Sequence, residues 1–391
     1  MSRAALLAAA ALALAVLPAP DPAAAQTKYI AFGDSITNPG GSYDDPSRPC
    51  PEECGYPGRL EDLLEGAGIA AEVVNAGLGG EDTAQGLSRL DGVLAQEGGD
   101  VLLLMEGTND ISRGFSPETI RFNLDQMAQR AAAHGLETIH ATVIPRVPDA
   151  RAGDGTNFFT QLLAWEIRDL AQVRGRDLAD PFEVFINHPN LFADLYSPGG
   201  DAVGHPNAAG FDLLAEIFFD FVRDVDSVPP VPGLLSPRDG EEGVSPRTQI
   251  RLRLFDFGAG IDVAATELLV DGQPVAASQD GDSRRLDLRF APVEPFSGVV
   301  EVGYRTRDLA PTPNERERVL GSFLVQGTQL LQADVNGDGR VDGADLVLLA
   351  RHFGTANGDS RYAAFVDINR DDLIDGSDLA VLASQFGRSA E

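Results

Sequence analysis

The chain has 391 residues, 43% of them apolar, so it is long enough for two or three domains with real cores, and wholesale disorder is excluded. Sixty acidic residues against 30 basic ones give a net charge of −30. That balance argues against nucleic acid or an anionic membrane as a partner, because both require basic surface. It suits a plain solvated surface, a salty habitat or calcium binding.

Met1-Ser2-Arg3, an apolar run from Ala4 to Leu17, and Ala23-Ala24-Ala25 before Gln26 have the form of a secretory signal peptide. Cleavage is expected after Ala25, leaving an exported chain over 26–391. The apolar run falls short of the roughly 20 residues a membrane span needs, and no later stretch reaches that length. The only cysteines, Cys50 and Cys54, lie close together. In an oxidising compartment they are expected to pair and staple the loop after the first strand. A metal site is the rival reading, although no histidine lies near them in sequence.

Residues 26–227 alternate short apolar runs with amphipathic stretches. Strands are expected at Tyr29–Phe32, Ala71–Val74, Val101–Met105, Thr138–Val143 and Phe182–Phe185. Helices are expected at Arg59–Glu65, Ala84–Ala95, Pro117–Ala133, Phe158–Val173 and Ala208–Val222. Such alternation implies parallel βαβ units with helices on both faces, and ligands in such sheets bind at the carboxyl ends of the strands. Ser35, Gly80 and Asn109 each follow an expected strand, so all three should meet at that edge.

The stretches carrying these residues are Gly33-Asp34-Ser35, Asn75-Ala76-Gly77-Leu78-Gly79-Gly80 and Gly107-Thr108-Asn109-Asp110. A fourth runs from Asp201 through His205-Pro206-Asn207. Serine-based ester hydrolysis needs a nucleophile, a base and donors for an oxyanion. Ser35 supplies the first. His205 is the expected base, since its His-Pro-Asn runs straight into a helix. His188-Pro189-Asn190 copies the motif locally, while His134, His140 and His352 read as surface or packing residues. The four blocks in this order resemble the SGNH (GDSL-type) esterase family over roughly 28–225. The resemblance implies a flavodoxin-like three-layer α/β fold and oxyanion donors from Ser35, Gly80 and Asn109, with Asn75 structural. It also implies an acid that orients the histidine. The family usually places Asp two residues before His, whereas three separate Asp201 from His205. Gly204 would absorb the extra residue, and Asp194 is the alternative acid.

Residues 228–233 are proline-rich and read as a linker. From 234 to 327 the apolar period changes to two, as in Ile250, Leu252 and Leu254, and Asp271-Gly272 marks a hairpin. About seven short strands are expected in an immunoglobulin-like sandwich, acting as a spacer or a weak carbohydrate-binding module. No cluster of ionisable residues in this stretch suggests chemistry.

Within 328–391 an acidic loop occurs twice, 33 positions apart. Asp334, Asn336, Asp338, Asp342 and Asp345 form one set of oxygen ligands and Asp367, Asn369, Asp371, Asp375 and Asp378 the other. The backbone carbonyls of Arg340 and Leu373 complete the two sets for a hard cation. Paired loops with Asp in the last position, each followed by an apolar helix, resemble a type I dockerin. That resemblance implies structural calcium and a cohesin-like protein partner. Gly343-Ala344 and Gly376-Ser377 depart from the Ser/Thr-type recognition pair often found there. The first loop has Gly339 at its sharp turn and the second Asp372, so the second site is expected to be weaker.

Together these features predict a secreted carboxylic ester hydrolase without a catalytic cofactor. An acylated polysaccharide is the expected substrate, which makes it an O-acetyl carbohydrate esterase. A lysophospholipase or thioesterase-like lipid hydrolase, and an inactive extracellular scaffold, are the alternatives.

Overall fold

The computed structural model describes residues 26–40, 53–147, 155–196, 204–326, 331–336, 339–357, 359, 361–363, 365–369 and 371–389. They form two compact units. One holds the described residues up to Leu163 together with Arg176–Arg223; the other holds Ala164–Gly175 and the described residues from Asp224 on.

The first unit contains β1 (Thr27–Gly33), α1 (Gly55–Gly66), β2 (Ala71–Gly77), α2 (Thr83–Glu97), β3 (Val101–Met105), α3 (Thr108–Ser112), α4 (Pro117–Ala133) and β4 (Glu137–Ala141). Then follow α5 (Gly155–Arg174), which straddles both units, β5 (Asp177–Ala179), α6 (Pro181–Ile186), α7 (Leu191–Leu195) and α8 (Ala208–Val222). The five strands pair in parallel in the order β2-β1-β3-β4-β5. This is the flavodoxin-like doubly wound order, with its reversal between β1 and β3. Ile30, Ala31, Phe32, Leu102 and Leu103 are fully buried, as strands covered on both faces require. Helix α1 packs on α8 by stacking Tyr56 on Phe218 at 4.7 Å. Helix α2 meets α4, where Asn123 donates to Thr83 Oγ1 at 2.9 Å.

Phe182–Phe185 is helix and not strand. Asp180 caps it by accepting from Glu183 N at 3.2 Å, and Pro181 occupies the first turn. The pairing strand lies earlier, at Asp177–Ala179. A capped start with proline at its first position outweighs a short apolar run.

Within the second unit, residues 231–324 hold eight antiparallel strands, where about seven were expected. They are β6 (Val231–Ser236), β7 (Ile250–Phe255), β8 (Glu267–Val270), β9 (Gln273–Val275), β10 (Ser278–Gly281), β11 (Arg285–Phe290), β12 (Val299–Arg307) and β13 (Glu315–Leu324). Two four-stranded sheets result, β10-β11-β7-β6 and β13-β12-β8-β9. Phe296 bridges them, 6.3 Å from Phe290 and 5.8 Å from Phe323. Asp271 and Gly272 have φ of 50° and 71°, the left-handed pair that the two-residue hairpin turn between β8 and β9 requires.

Strand β6 takes in Val231-Pro232-Gly233, so that part of the proline-rich stretch is not linker. Proline is tolerated because β6 is an edge strand with an irregularity between Pro232 and Leu234.

At the C-terminal side, α9 (Gly343–His352) and α10 (Gly376–Gln385) accompany a two-stranded ladder of β14 (Thr355–Ala356) and β15 (Leu373–Ile374). Leu331, Ala333, Val341, Leu349, Val366, Ile368, Ile374 and Leu382 form their core. Among the described residues no helix is long and apolar enough to cross a membrane.

Candidate active site

Strand β1 ends at Gly33, and the chain turns at once: Asp34 O accepts from Thr37 N at 3.2 Å and from Asn38 N at 3.1 Å. Ser35 sits in this turn, half-buried. His205 approaches from the start of α8, and its Nε2 lies 2.8 Å from Ser35 Oγ. Asn207 caps α8 by accepting from Gly210 N at 3.0 Å, and its amide donates to Asp194 O at 3.0 Å. Those two bonds fix where His205 enters. Gly204 has φ of 107°, and a Cβ there would stand 3.3 Å from Arg146 Cβ, so glycine suits this approach on both counts.

The loops after β1, β2 and β3 are laced together. Asn109 Nδ2 donates to Glu81 O at 2.8 Å and, more weakly, to Asp34 Oδ2 at 3.4 Å. Arg113 donates to Gly80 O at 2.8 Å and pairs with Asp82. Asp110 accepts from Thr83 N at 2.9 Å and from Thr83 Oγ1 at 2.5 Å. Gly80 stands exposed in the turn after β2, beside Gly79, where a Cβ would lie 3.8 Å from that of Ser35. The spacing of the motifs after three strand ends is what brings Ser35, Gly80 and Asn109 to one edge.

Beneath this edge lies a charged layer that the motifs alone did not reveal. Asp34, 1% exposed, is pushed up to about 7, first by burial and then by the Asp110 and Glu81 charges, against the Ile36 amide and Arg146. Glu106 is fully buried, and neither carboxylate oxygen has a hydrogen-bond partner. Burial, and then Glu81, Asp34 and Asp110, raise it well above the usual carboxylate range. Arg89 answers part of this charge, holding both Glu81 oxygens at 2.7 Å while lying over the Phe32 ring. The only sequence signal was position: Glu81 and Asp110 directly follow Gly80 and Asn109.

The other candidates separate clearly. The Asp194 carboxylate faces His188, 3.9 Å from its Nδ1. His188 stays in the turn before α7, its ring accepting from Asn190 N at 3.3 Å. Asp201 lies outside the described residues. Asn75 braces the loop beside α1, donating to Cys54 O at 3.1 Å and accepting from Gly77 N at 3.1 Å. His140, on β4, is buried, and burial lowers it to about 3. Cys54 is disulfide-bonded; Cys50, the only other cysteine, lies outside the described residues.

In the acidic loops, Asp345 and Asp378 are fully buried, and each accepts three backbone amides. Asp345 takes those of Val335, Asn336 and Asp342, and Asp378 those of Ile368, Asn369 and Asp375. Asp342 and Asp375 cap α9 and α10. Gly339 and Asp372 both adopt left-handed φ, 82° and 67°. Asp372 has a partner, since its Oδ1 accepts from Asn357 Nδ2 at 2.9 Å. Buried, amide-braced carboxylates with oxygen donors at alternate positions fit a hard cation. Asp338 lies outside the described residues.

Residues 31–213 match the GDSL-like lipase/acylhydrolase family, and residues 332–387 match the type I dockerin domain. Esterase TesA of Pseudomonas aeruginosa is 37% identical over 135 residues, and an arylesterase of Vibrio mimicus is 32% identical over 124. Those alignments take in 34% and 32% of this chain, and 62% and 57% of the relatives' lengths. Among solved structures, a lipase/acylhydrolase from Enterococcus faecalis aligns over 51% of this chain and 96% of its own. It has 22% identity and a TM-score of 0.40.

Proposed function

We propose that this chain, which carries a GDSL-like lipase/acylhydrolase domain and a type I dockerin domain, hydrolyses carboxylic esters through a Ser35 acyl-enzyme. The observation that carries the reading is the 2.8 Å contact between His205 Nε2 and Ser35 Oγ at the carboxyl edge of the sheet, beside the β1/β3 reversal. His205 takes the Ser35 proton as Oγ attacks the ester carbonyl, then gives it to the departing alkoxide. Water, deprotonated by the same imidazole, cleaves the acyl-enzyme and restores Ser35. The backbone N–H groups of Ser35 and Gly80 and the amide of Asn109 receive the oxyanion. The bond from Asn109 to Glu81 O holds the amide in place, and the weaker 3.4 Å contact with Asp34 is the one an oxyanion displaces. Asp201 orients the imidazole; the Asp194 carboxylate lies on the side of His188, 3.9 Å from its Nδ1.

An O-acetylated polysaccharide is the substrate class. The support is the dockerin domain, an association between modules and therefore weaker than the site geometry. The relatives' names, esterase and arylesterase, agree with the reaction and leave the alcohol open. The acidic loops hold calcium through Asp334, Asn336, Asp338, Asp342 and Asp345 and through Asp367, Asn369, Asp371, Asp375 and Asp378, with the Arg340 and Leu373 carbonyls. A cohesin-like protein is the partner of this module, whose helices expose Leu346, Val347 and Leu379. Export by the signal peptide places the protein outside the cell, and residues 234–327 act as an immunoglobulin-like spacer.

The test is labelling by a fluorophosphonate, followed by assay on acetylated xylan, p-nitrophenyl acyl esters and lysophospholipid. Labelling lost in Ser35→Ala, with acetate released from xylan, is the expected result. Absence of labelling in the wild type overturns the reading, and turnover of lysophospholipid alone replaces the polysaccharide by a lipid.

A further inference from the structure

We propose that Asp226, Asp256 and Asp308 form a calcium site in the β-sheet unit, separate from the two acidic loops. The three residues come from distant points of the chain. Asp226 lies on the segment between α8 and β6, Asp256 follows β7, and Asp308 follows β12. One carboxylate oxygen of each lies within 4.8 Å of the other two. Asp256 and Asp308 are 3% and 1% exposed, and Asp226 is half-buried. Three carboxylates gathered this closely away from water repel one another unless a cation or protons sit between them.

The cluster is built rather than incidental, because backbone amides aim each carboxylate. Asp226 accepts from Ala259 N at 2.7 Å and Val228 N at 3.3 Å. Asp308 accepts from Asn314 N at 2.9 Å, Ala310 N at 3.1 Å and Asn314 Nδ2 at 2.6 Å. Asp256 Oδ1 accepts from Gly260 N at 2.8 Å and Gly258 N at 2.9 Å. A Cβ on residue 258 would stand 2.3 Å from the Asp226 carboxyl carbon, so glycine there leaves the space that carboxylate fills.

The observation that points to a ligand is Asp256 Oδ2, which is buried with no hydrogen-bond donor. Buried polar atoms are rarely left so. Its neighbours in the cluster are two more carboxylates, and the partner chemistry that satisfies all three is a cation. The donor set is all oxygen and heavily charged, which selects a hard ion. Calcium takes oxygens at about 2.3–2.6 Å, so two of its ligands can stand roughly 4.8 Å apart, and water and main-chain carbonyls complete its shell. The bound ion would tie the segment after α8 to the loops that follow β7 and β12.

The experiment uses the full chain with its acidic loops silenced by Asp345→Asn and Asp378→Asn. Equilibrium dialysis against radioactive calcium counts the ions bound per chain. The loop-silenced chain should retain one ion, and adding Asp256→Asn or Asp226→Asn should remove it. The second variant, at the partly exposed ligand, guards against misfolding of the first. Thermal unfolding gives an independent reading. In chelator, Asp256→Asn should melt at or above its parent, because its amide N–H groups face the two remaining carboxylates. In millimolar calcium the order should reverse. A loop-silenced chain that binds no calcium, or a count and melting order untouched by both substitutions, overturns the site and leaves a proton-sharing cluster.

Discussion

Replacing Asp34 with Asn should remove a large part of the hydrolase unit's sensitivity to rising pH. Asp34 titrates near 7 in the folded chain against an ordinary 3.8, so folding favours its protonated form. Its stabilising share is fully present below about pH 4, declines as pH rises to about 7, and is flat beyond. Roughly three pKa units at about 1.36 kcal/mol each amount to about 4 kcal/mol lost across that window. The side chain is 1% exposed, so solvent screening does not reduce that figure. Asn keeps the acceptor for Ile36 N but sets its own N–H₂ against that of Asn109, a penalty that does not vary with pH. Glu106 and Asp110 still titrate in both proteins, Glu106 without the Asp34 charge that helps to raise it, so the informative quantity is the difference between the two proteins. Pulsed hydrogen exchange in urea at pH 4.5, 6 and 8, reading peptides over β1 and β3, isolates this unit. Wild type and variant should converge or cross as pH rises. Curves that fall in parallel would show that Asp34 is ionised throughout and the burial argument wrong.

Ser35→Ala should lower ester turnover by more than about a thousandfold without loss of the circular-dichroism melting transition. His205→Ala should be nearly as damaging while His188→Ala stays within a few-fold of wild type; the reverse order would put the base at the wrong His-Pro-Asn. Steady-state kinetics should show Asp201→Asn reducing kcat far more than Asp194→Asn, whose carboxylate faces His188, and equal effects would reassign the orienting acid. Asn109→Ala should cost about 3 kcal/mol in barrier, near a hundredfold in kcat with little change in KM, and a loss confined to KM would remove it from the oxyanion site. In the second acidic loop, Asp372→Gly relieves about 1 kcal/mol of left-handed strain but forfeits the bond from Asn357, worth about as much, so calorimetric calcium affinity should shift less than about fivefold. Tenfold tightening would show that the turn limits binding.

Whatever depends on neighbours in the chain was legible without a structure. The alternation of strands and helices, the Asp271-Gly272 hairpin turn and the repeated acidic loops each rest on local spacing and backbone preference, and the structure has them where those preferences put them. The meeting of Ser35, Gly80 and Asn109 at one edge was legible too, because parallel topology sends every strand's carboxyl end the same way. Local reading failed where a local signal was ambiguous: the apolar run at 182–185 is a helix because Asp180 and Pro181 start one, and Val231–Gly233 is strand because it lies at an edge.

The tertiary structure added to the choice of His205, already favoured because its His-Pro-Asn runs into a helix, the 2.8 Å contact with Ser35, which depends on how Asn207 ties α8 to α7. It alone showed the buried layer of Asp34, Glu106 and Asp110, because a carboxylate's burial depends on what packs over it. Asp226, Asp256 and Asp308 lie as much as 82 positions apart, and the strands that precede the last two belong to different sheets, so only tertiary packing brings their carboxylates within 4.8 Å. Spacing along the chain carries secondary structure and motif order; distances between charges come from how the elements pack, which no local pattern encodes.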